Sequence, residues 1–319
     1  MRFKKAILFG AVLAAGATGL SCKKGGGGGG GGWLVGSEGL MANVDVHGQL
    51  GNGYDLGSTE TLYGIACRYQ DEAWVVGANG TLLYTNDAGR SWSSQDLGTT
   101  ADLHSLATQD DGPVFVVGNG VFFTATPQYQ TGAAEWKNLG DGTTQFLSVA
   151  AAQHATTVLA VSADGGVWNY DNDQLSKVAT LAGMRAVAIS PDGGEAIAVG
   201  NGIQRSIDGG RTWSALSVDA SLAFADVRIS DDGDAVAVGA AGTIAHIDLE
   251  GRVLVQHVGT SNLKTVHIAE DADGYTATGY AAGEGGQIYM TTDGGWNWTV
   301  GPNVGRTVLG VDSIGDGHR

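Results

Sequence analysis

Four polar side chains stand out because they fall where a sheet protein normally places small or apolar residues. They lie in three segments that align as equivalent strands of a repeat, ADVRISDDG (225–233), LKTVHIAEDADG (263–274) and VLGVDSIGDG (308–317). The four residues are Asp226, Arg228, His267 and Asp312. Carboxylates, a guanidinium and an imidazole on one face can bind a charged ligand or a partner side chain, and a histidine makes such a site sensitive to pH. These residues form our candidate binding cluster.

The same residues can also satisfy one another. The other four copies of the strand carry alanine at the matching position, Ala66, Ala107, Ala150 and Ala188. Polar residues on consecutive copies are therefore expected at one side of a shared central channel. A self-satisfied salt-bridge network that plugs a narrow channel is the favoured interpretation. A site for a small ligand or a partner side chain is the alternative.

Residues for catalysis or metal binding follow no recognisable pattern. The seven histidines show no H-x-x-H spacing, so the sequence does not indicate a zinc site. The run DADG (271–274) has Ala282 where an EF-hand loop needs its last glutamate. No glycine-rich loop precedes a helix, so a site for nucleotide phosphates is not indicated. We expect no enzymatic activity, no metal and no cofactor.

A repeat of about 41 residues organises the chain. An apolar run ending in a tight glycine turn, followed by a second run, recurs seven times, as in WLVGSEGLM (33–41) and AIAVGNGIQ (196–204). Short runs rich in β-branched residues, joined by Asn-Gly or Asp-Gly, predict β-hairpins. Four antiparallel strands per repeat without helices predict an all-β, seven-bladed β-propeller. The chain begins with a middle strand and ends with an inner strand, so the N- and C-terminal strands should pair and close the ring.

Three turns share one sequence skeleton: YTNDAGRSW (84–92), RSIDGGRTW (205–213) and MTTDGGWNW (290–298). An aspartate can accept hydrogen bonds from the amides of its own turn, a glycine can take a positive φ, and a tryptophan can pack against a blade. The turns resemble the Asp-box (BNR) motif, S/T-x-D-x-G-x-T-W. That motif occurs in sialidases, sortilin-type receptors and Ycf48-type assembly factors of photosystem II. The resemblance implies structural turns between the third and fourth strands of a blade, with these bracing residues: Asp87, Gly89, Trp92, Asp208, Gly210, Trp213, Asp293, Gly295 and Trp298.

The N-terminus indicates export and anchoring. Residues 1–21 contain a basic start and a short apolar stretch, which is typical of a signal peptide. The segment GLSC (19–22) resembles the lipobox of bacterial lipoproteins, which implies lipid modification of Cys22. Residues 22–32 continue with two lysines and eight glycines, a flexible tether that reaches about 15 Å. Residues 33–319 form the propeller. An ordinary cleaved signal peptide with an incidental cysteine is the alternative.

The charge balance restricts the partners. Removing residues 1–21 takes away three of the 17 basic residues and none of the 33 acidic ones, which leaves a net charge of −19. So much negative charge disfavours nucleic acid and anionic lipid, and it suits a protein partner with a basic patch. The membrane is reached through the lipid on Cys22. We expect a monomer.

The expected function is that of a non-enzymatic, lipid-anchored scaffold for protein interaction or complex assembly in the bacterial envelope. Lysine after the modified cysteine implies the outer membrane, on its periplasmic or its surface side. Among the families named above, the chain most resembles the Ycf48-like group in its leader and its repeats. A carbohydrate-binding or sialidase-like propeller is the alternative. The R-I-P-type motif that supplies the first arginine of a sialidase site is absent from the sequence.

Overall fold

Seven antiparallel sheets form the protein, and each is one blade of a β-propeller. The computed structural model describes residues 31–51, 53, 59–68, 71–128, 131–269 and 278–313. Within these ranges, no helix has the length and apolar character needed to cross a membrane. The signal segment and Cys22 lie outside the described residues.

The strands follow the order of the repeats. They are β1 (Gly32–Gly36), β2 (Met41–Val44), β3 (Leu62–Arg68), β4 (Glu72–Gly77), β5 (Leu82–Thr85), β6 (Ser93–Ser94), β7 (Leu103–Thr108), β8 (Val114–Gly118), β9 (Val121–Ala125), β10 (Lys137–Asn138), β11 (Phe146–Ala151), β12 (Val158–Ser162), β13 (Gly166–Asp171), β14 (Gln174–Thr180), β15 (Met184–Ile189), β16 (Ala196–Gly200), β17 (Gly202–Ser206), β18 (Ser214–Ala215), β19 (Phe224–Ile229), β20 (Ala235–Gly239), β21 (Thr243–Ile247), β22 (Val253–His257), β23 (Leu263–Ala269), β24 (Thr278–Gly283), β25 (Gln287–Thr291), β26 (Thr299–Asn303) and β27 (Val308–Asp312). Short 3-10 turns join some of them: Ser37–Gly39, Ala78–Gly80, Ala240–Gly242 and Glu284–Gly286.

Blade 1 closes the ring, as the sequence predicted. Its inner strand is the C-terminal β27, which pairs with β1 through Trp33 opposite Asp312 and Leu34 opposite Val311. Strand β2 then pairs with β1, so three described strands form this blade. A single bridge between Val44 and Leu50 lies beyond β2, on the side where a fourth strand would pair. Blades 2 to 7 have four strands each and follow in order, from β3–β6 to β23–β26.

The second strand of each blade is buried on both faces because it lies between two neighbouring blades. Strands β4, β8, β12, β16 and β20 are buried along their whole length and read as continuous apolar runs, for example AIAVG in β16. Such runs are typical of strands that are covered on both sides. The core is therefore a ring of seven apolar clusters, most of which lie between neighbouring blades.

All inner strands run in the same direction through the ring. We call the face where the inner strands begin the upper face, and the face where they end the lower face. The second strand of a blade runs back from the lower face to the upper one. Gly32, the first residue of β1, pairs with Val44 at the end of β2, so the chain enters the propeller at the lower face.

A register shift follows the first residue of every inner strand in blades 2 to 7, as between Leu62 and Gly64 in β3. Blade 1 shows the same shift, because Val308 of β27 pairs with Gly36 and Gly310 pairs with Val35, which leaves Leu309 as the extra residue of the inner strand. Such a β-bulge adds one residue and turns the strand locally. Two consecutive residues, at the second and third positions of each inner strand, consequently line the central channel.

Candidate functional site

The third position of the inner strands forms a belt of hydrogen bonds around the channel. In four blades, an oxygen of this side chain accepts the fourth-position backbone N–H of the following blade. The pairs are Ser105 with Val149 at 3.3 Å, Ser148 with Val187 at 3.3 Å, Asp226 with Val266 at 3.0 Å, and Thr265 with Val311 at 3.2 Å. The belt links inner strands that share no ladder hydrogen bonds.

Asp226 therefore belongs to the belt. One of its oxygens accepts from Val266, and the other accepts the N–H of Val227 at 2.9 Å. Both oxygens are directed at backbone amides of blades 6 and 7. Asp226 thus bonds to backbone amides, whereas the histidine and the second aspartate of the predicted cluster bond to each other.

His267 and Asp312 form a direct pair. Nδ1 of His267 lies 2.7 Å from Oδ1 of Asp312, and the other carboxylate oxygen accepts the backbone N–H of Cys67 at 2.7 Å. Burial raises the pKa of Asp312, but His267, Arg228 and the Cys67 amide together hold that pKa below its usual range. The carboxylate joins blades 7, 1 and 2. Nε2 of His267 is buried and has no hydrogen-bond partner among the described residues.

A cavity of about 130 Å³ opens above this pair, in the upper half of the channel. All seven inner strands contribute to its lining, chiefly through their second and third positions. Its basic side chains are Arg185 on β15, Arg228 on β19 and Lys264 on β23, together with His104 on β7. Of the described residues that line it, Asp226 is the one acid. A positively charged cavity thus lies in a strongly acidic protein.

The two arginines differ from the lysine in their contacts. Nζ of Lys264 lies 2.9 Å from Oε1 of Glu284, which draws it toward the rim. Arg185 is exposed, Arg228 is half-buried, and neither makes a hydrogen bond or close ion pair within the described parts of the chain. The positive charge of Arg228 does act on Asp312 through space, where it helps to lower the pKa of Asp312. The donors of both guanidinium groups are available to a ligand.

Histidine and tyrosine form another part of the cavity wall. Nδ1 of His104 lies 3.0 Å from the backbone oxygen of Phe146, and this nitrogen carries the hydrogen because a carbonyl oxygen only accepts. The ring of Tyr63 stands edge-on to that of His104, with centroids 5.8 Å apart. Alternation along the strand did not reveal Arg185, Lys264 or His104, because the bulge places the second position in the channel. The sequence did contain one signal for these side chains, because the second residue of several inner strands is polar and follows a large apolar residue.

The three Asp turns share one hydrogen-bond scheme. In blade 5, Asp208 accepts from Ser206 Oγ at 2.8 Å and from the N–H of Thr212 at 2.8 Å, while Gly210 N–H donates to Ser206 Oγ at 2.8 Å. Asp87 with Ser91, and Asp293 with Asn297, repeat this scheme in blades 2 and 7. The side-chain and backbone hydrogen bonds from Thr212 lower the pKa of Asp208 to about 2. All three turns join the third strand to the fourth at the lower face.

The glycine of each turn lies against the preceding blade. Gly89, Gly210 and Gly295 have φ values of +77°, +85° and +93°. A Cβ atom on them would lie 2.4 Å from Trp33, 2.6 Å from Leu159 and 2.6 Å from Val236, respectively. The tryptophans also pack inward: Trp92 lies edge-on to Trp33 at 6.0 Å, and Trp213 and Trp298 each donate Nε1–H to the glycine oxygen of their turn at 2.9 Å.

A second cluster lies on the lower face between blades 6 and 7. The ring of His246 is buried and packs against Trp296 at a tilt of 33°, with centroids 3.9 Å apart, while 46 % of Trp296 is exposed. Nε2 of His246 lies 3.5 Å from Oδ2 of Asp234. Burial lowers the pKa of His246, although Asp234 opposes this shift, and burial raises the pKa of Asp234. No group of three or more His, Cys, Asp or Glu side chains in the described ranges is arranged to hold a metal ion.

Comparisons with known proteins identify the fold. No family model matches the sequence, and no curated protein matches it. Among solved structures, one titled "YCF48 bound to D1 peptide" is 20% identical over 77% of this chain and 82% of that chain, with a TM-score of 0.56. YCF48 from Cyanidioschyzon merolae is 18% identical over 79% and 88%, with a TM-score of 0.60. The WD40 propeller domain of Doa1 is 14% identical over 81% and 88%, with a TM-score of 0.62. These similarities confirm the seven-bladed propeller.

Proposed function

We propose that this chain is a lipid-anchored, non-enzymatic protein of the bacterial envelope whose propeller binds another protein during complex assembly. The observation that carries the proposal is the cavity at the upper mouth of the channel, where Arg185 and Arg228 present hydrogen-bond donors that no described residue accepts. A solved propeller of similar fold holds a peptide of another protein. Peptide binding is therefore compatible with this architecture. The monomeric state and the outer-membrane location remain parts of the proposal.

The position of the tether supports this arrangement. The chain enters the propeller at the lower face, next to Val44, while the cavity opens on the upper face. A lipid on Cys22, followed by a glycine tether with a reach of about 15 Å, would keep the lower face near the membrane. The upper mouth would then face away from the membrane and remain accessible to a partner.

The contacts in the cavity support binding over catalysis. Ser105 and Ser148 line it, but their hydroxyl oxygens accept backbone N–H groups of the next blade. His104 is directed at the Phe146 carbonyl through Nδ1, so this nitrogen does not serve as a base for either serine. A nucleophile needs a base within hydrogen-bond reach, and in the described ranges no hydrogen bond joins either serine hydroxyl to a basic side chain. The Asp turns, which we interpret as Asp-box turns, would brace the blades from the lower face.

A pull-down with chemical crosslinking from the native envelope tests the proposal. The bait would be the wild-type chain, the double variant Arg185→Gln/Arg228→Gln, or the control Arg306→Gln. Arg306 lies on the upper face outside the cavity, where its nearest acid is Glu38 at 3.8 Å. We expect one discrete partner with wild type and control, and its loss with the double variant, after circular dichroism has shown that all three fold equally. Recovery of the partner with the double variant would exclude the upper mouth as the binding site of that partner.

Anchoring has its own test. Labelling cells with an alkyne fatty acid should mark the wild type, and Cys22→Ser should abolish the label and release the chain into the soluble fraction. A soluble wild type without label would support the alternative of an ordinary cleaved signal peptide.

A carbohydrate-binding role is the second candidate, because the lower face does present a convergent aromatic and acidic cluster. Trp296 is half-exposed, and its neighbour His246 is surrounded by the carboxylates Asp234, Asp232 and Asp248. An exposed indole can stack on a sugar ring, and the carboxylates beside it can accept hydrogen bonds from the sugar hydroxyls. A glycan array would test this role. Binding by the wild type that is lost in Trp296→Ala would favour the second candidate.

A further inference from the structure

We infer that the upper mouth of the channel is a carboxylate-binding site, in which Arg185 and Arg228 hold one carboxylate group of the bound partner. The inference rests on the proposed function and specifies the chemical group that the partner supplies. It depends on the contacts of the side chains that line the cavity.

The two guanidinium groups come from adjacent blades. Arg185 occupies the second position of β15, and Arg228 occupies the fifth position of β19, one pleat below the belt residue Asp226. Both side chains nevertheless line the same cavity. Each guanidinium carries five N–H donors in a planar fork that matches the two oxygens of a carboxylate. The half-buried donors of Arg228 are partly removed from water, which favours an acceptor in the cavity.

Among the described residues of the lining, no acid supplies that acceptor. Both oxygens of Asp226 accept backbone N–H groups, at 2.9 and 3.0 Å. Asp312, the other acid that acts on Arg228, is engaged by His267 and by the Cys67 amide. Lys264 is paired with Glu284 at the rim and adds positive potential without competing for the two arginines. The centre of the cavity is thus positively charged and open to an external anion.

The surroundings favour a single carboxylate over a phosphate polymer. Loops of the upper face carry acids around the mouth, among them Glu38, Asp102 and Glu284. With a formal net charge of −16 for the whole chain, this rim repels an extended polyanion. A cavity of about 130 Å³ is far smaller than the roughly 300–1,000 Å³ pockets of drug-sized ligands, so it takes one small group. A chain terminus, an acidic side chain or a free small carboxylic acid could supply it.

Titration of the full-length chain in detergent with defined probes tests the inference. The probes are acetate, inorganic phosphate and a pentapeptide of glycine and serine with a free C-terminus. Neutral acetamide is the control for acetate, and the C-terminal amide is the control for the peptide. The readout is the side-chain Nε–Hε NMR signals of the arginines. We expect acetate and the free peptide to shift the signals of Arg185 and Arg228. Arg228→Gln should weaken acetate binding about tenfold or more, and Arg306→Gln should leave it unchanged.

The outcomes separate the inference from the proposed function. Absence of a shift with both acids, or binding of acetate by Arg228→Gln as strong as by the wild type when read at the Arg185 signal, would overturn the carboxylate site even if the envelope partner is captured through the upper mouth. Stronger binding of inorganic phosphate than of acetate would overturn the preference for a carboxylate. Binding of acetate with exclusion of the peptide would support the site but assign it to a free carboxylic acid, which overturns the link to a protein partner.

Discussion

Replacing Gly89 with alanine measures how strongly the Asp turns couple neighbouring blades. Gly89 has a φ of +77°, and the added Cβ would lie 2.4 and 2.5 Å from two ring atoms of Trp33 in blade 1. An L-residue in the left-handed region costs about 1–2 kcal/mol. Overpacking against a buried side chain costs about 1–3 kcal/mol more, and Trp33 is only 2 % exposed. The expected loss of unfolding free energy is therefore about 2–5 kcal/mol.

The chain offers a matched control in the same blade. Gly98 also has a positive φ, +69°, but no heavy atom lies within 4 Å of the position of an added Cβ. Gly98→Ala should therefore lose only the backbone contribution, about 1–2 kcal/mol. The difference in lost unfolding free energy between Gly89→Ala and Gly98→Ala therefore measures the contact between the turn of blade 2 and the buried tryptophan of blade 1.

Urea unfolding followed by circular dichroism gives both free energies, and the tryptophan fluorescence of the native state includes the emission of Trp33 and Trp92. Their rings meet edge-on at 6.0 Å, so displacement of Trp33 should alter the native emission of Gly89→Ala and leave that of Gly98→Ala unchanged. Equal losses of stability in the two variants, with unchanged emission, would refute the reasoning. The turn would then impose no packing constraint on the neighbouring blade.

Three further predictions concern the channel and the closing blade. Asp312→Asn should lower the free energy of unfolding by about 1–3 kcal/mol at neutral pH. The pKa of Asp312 is lower in the folded state than in the unfolded state, so the ionised carboxylate stabilises the fold fully above the unfolded-state pKa. This stabilisation is lost as the pH falls through the folded-state pKa. A stability difference between wild type and Asp312→Asn that persists unchanged in acid would contradict this. Thr265→Val removes the acceptor of the Val311 N–H and should speed hydrogen exchange of that amide, whereas Thr265→Ser should not; equal exchange in both would count against the belt. Burial, with a smaller effect from Asp45, raises the pKa of Tyr280 to about 12, so its contribution to stability is full below pH 10 and falls toward pH 12. Tyr280→Phe should flatten that alkaline loss in a pH series of unfolding free energies, and an unchanged slope would argue against it.

Local sequence patterns predicted the blades correctly. The strand AIAVG and its neighbours are continuous apolar runs because each lies between two blades, and this pattern is visible without coordinates. The phase of the repeat predicted the pairing of the first and last strands, which the register of Trp33 opposite Asp312 confirms. The predicted tether extended to Gly32, but this residue begins β1, because its backbone pairs with Val44.

The candidate site was predicted less completely. Strict alternation placed Asp226, Arg228, His267 and Asp312 in one channel-facing cluster. The structure places His267 against Asp312 at 2.7 Å and directs Asp226 to the amides of Val227 and Val266. A backbone amide of a neighbouring blade competes for the same carboxylate, and side-chain alternation along one strand contains no information about that amide.

The sequence by itself determined the number of blades, the position of the turns and the closure of the ring, because hairpins and alternation depend on residues close together in the chain. The tertiary structure decided which side chains meet in the channel. A bulge after the first residue of each inner strand brings Arg185 and Lys264 into the cavity. Pairing with Glu284 then draws the lysine toward the rim, while Arg185 has no close partner among the residues that the structure describes. Those outcomes depend on seven strands that are distant in sequence and converge only when the ring closes.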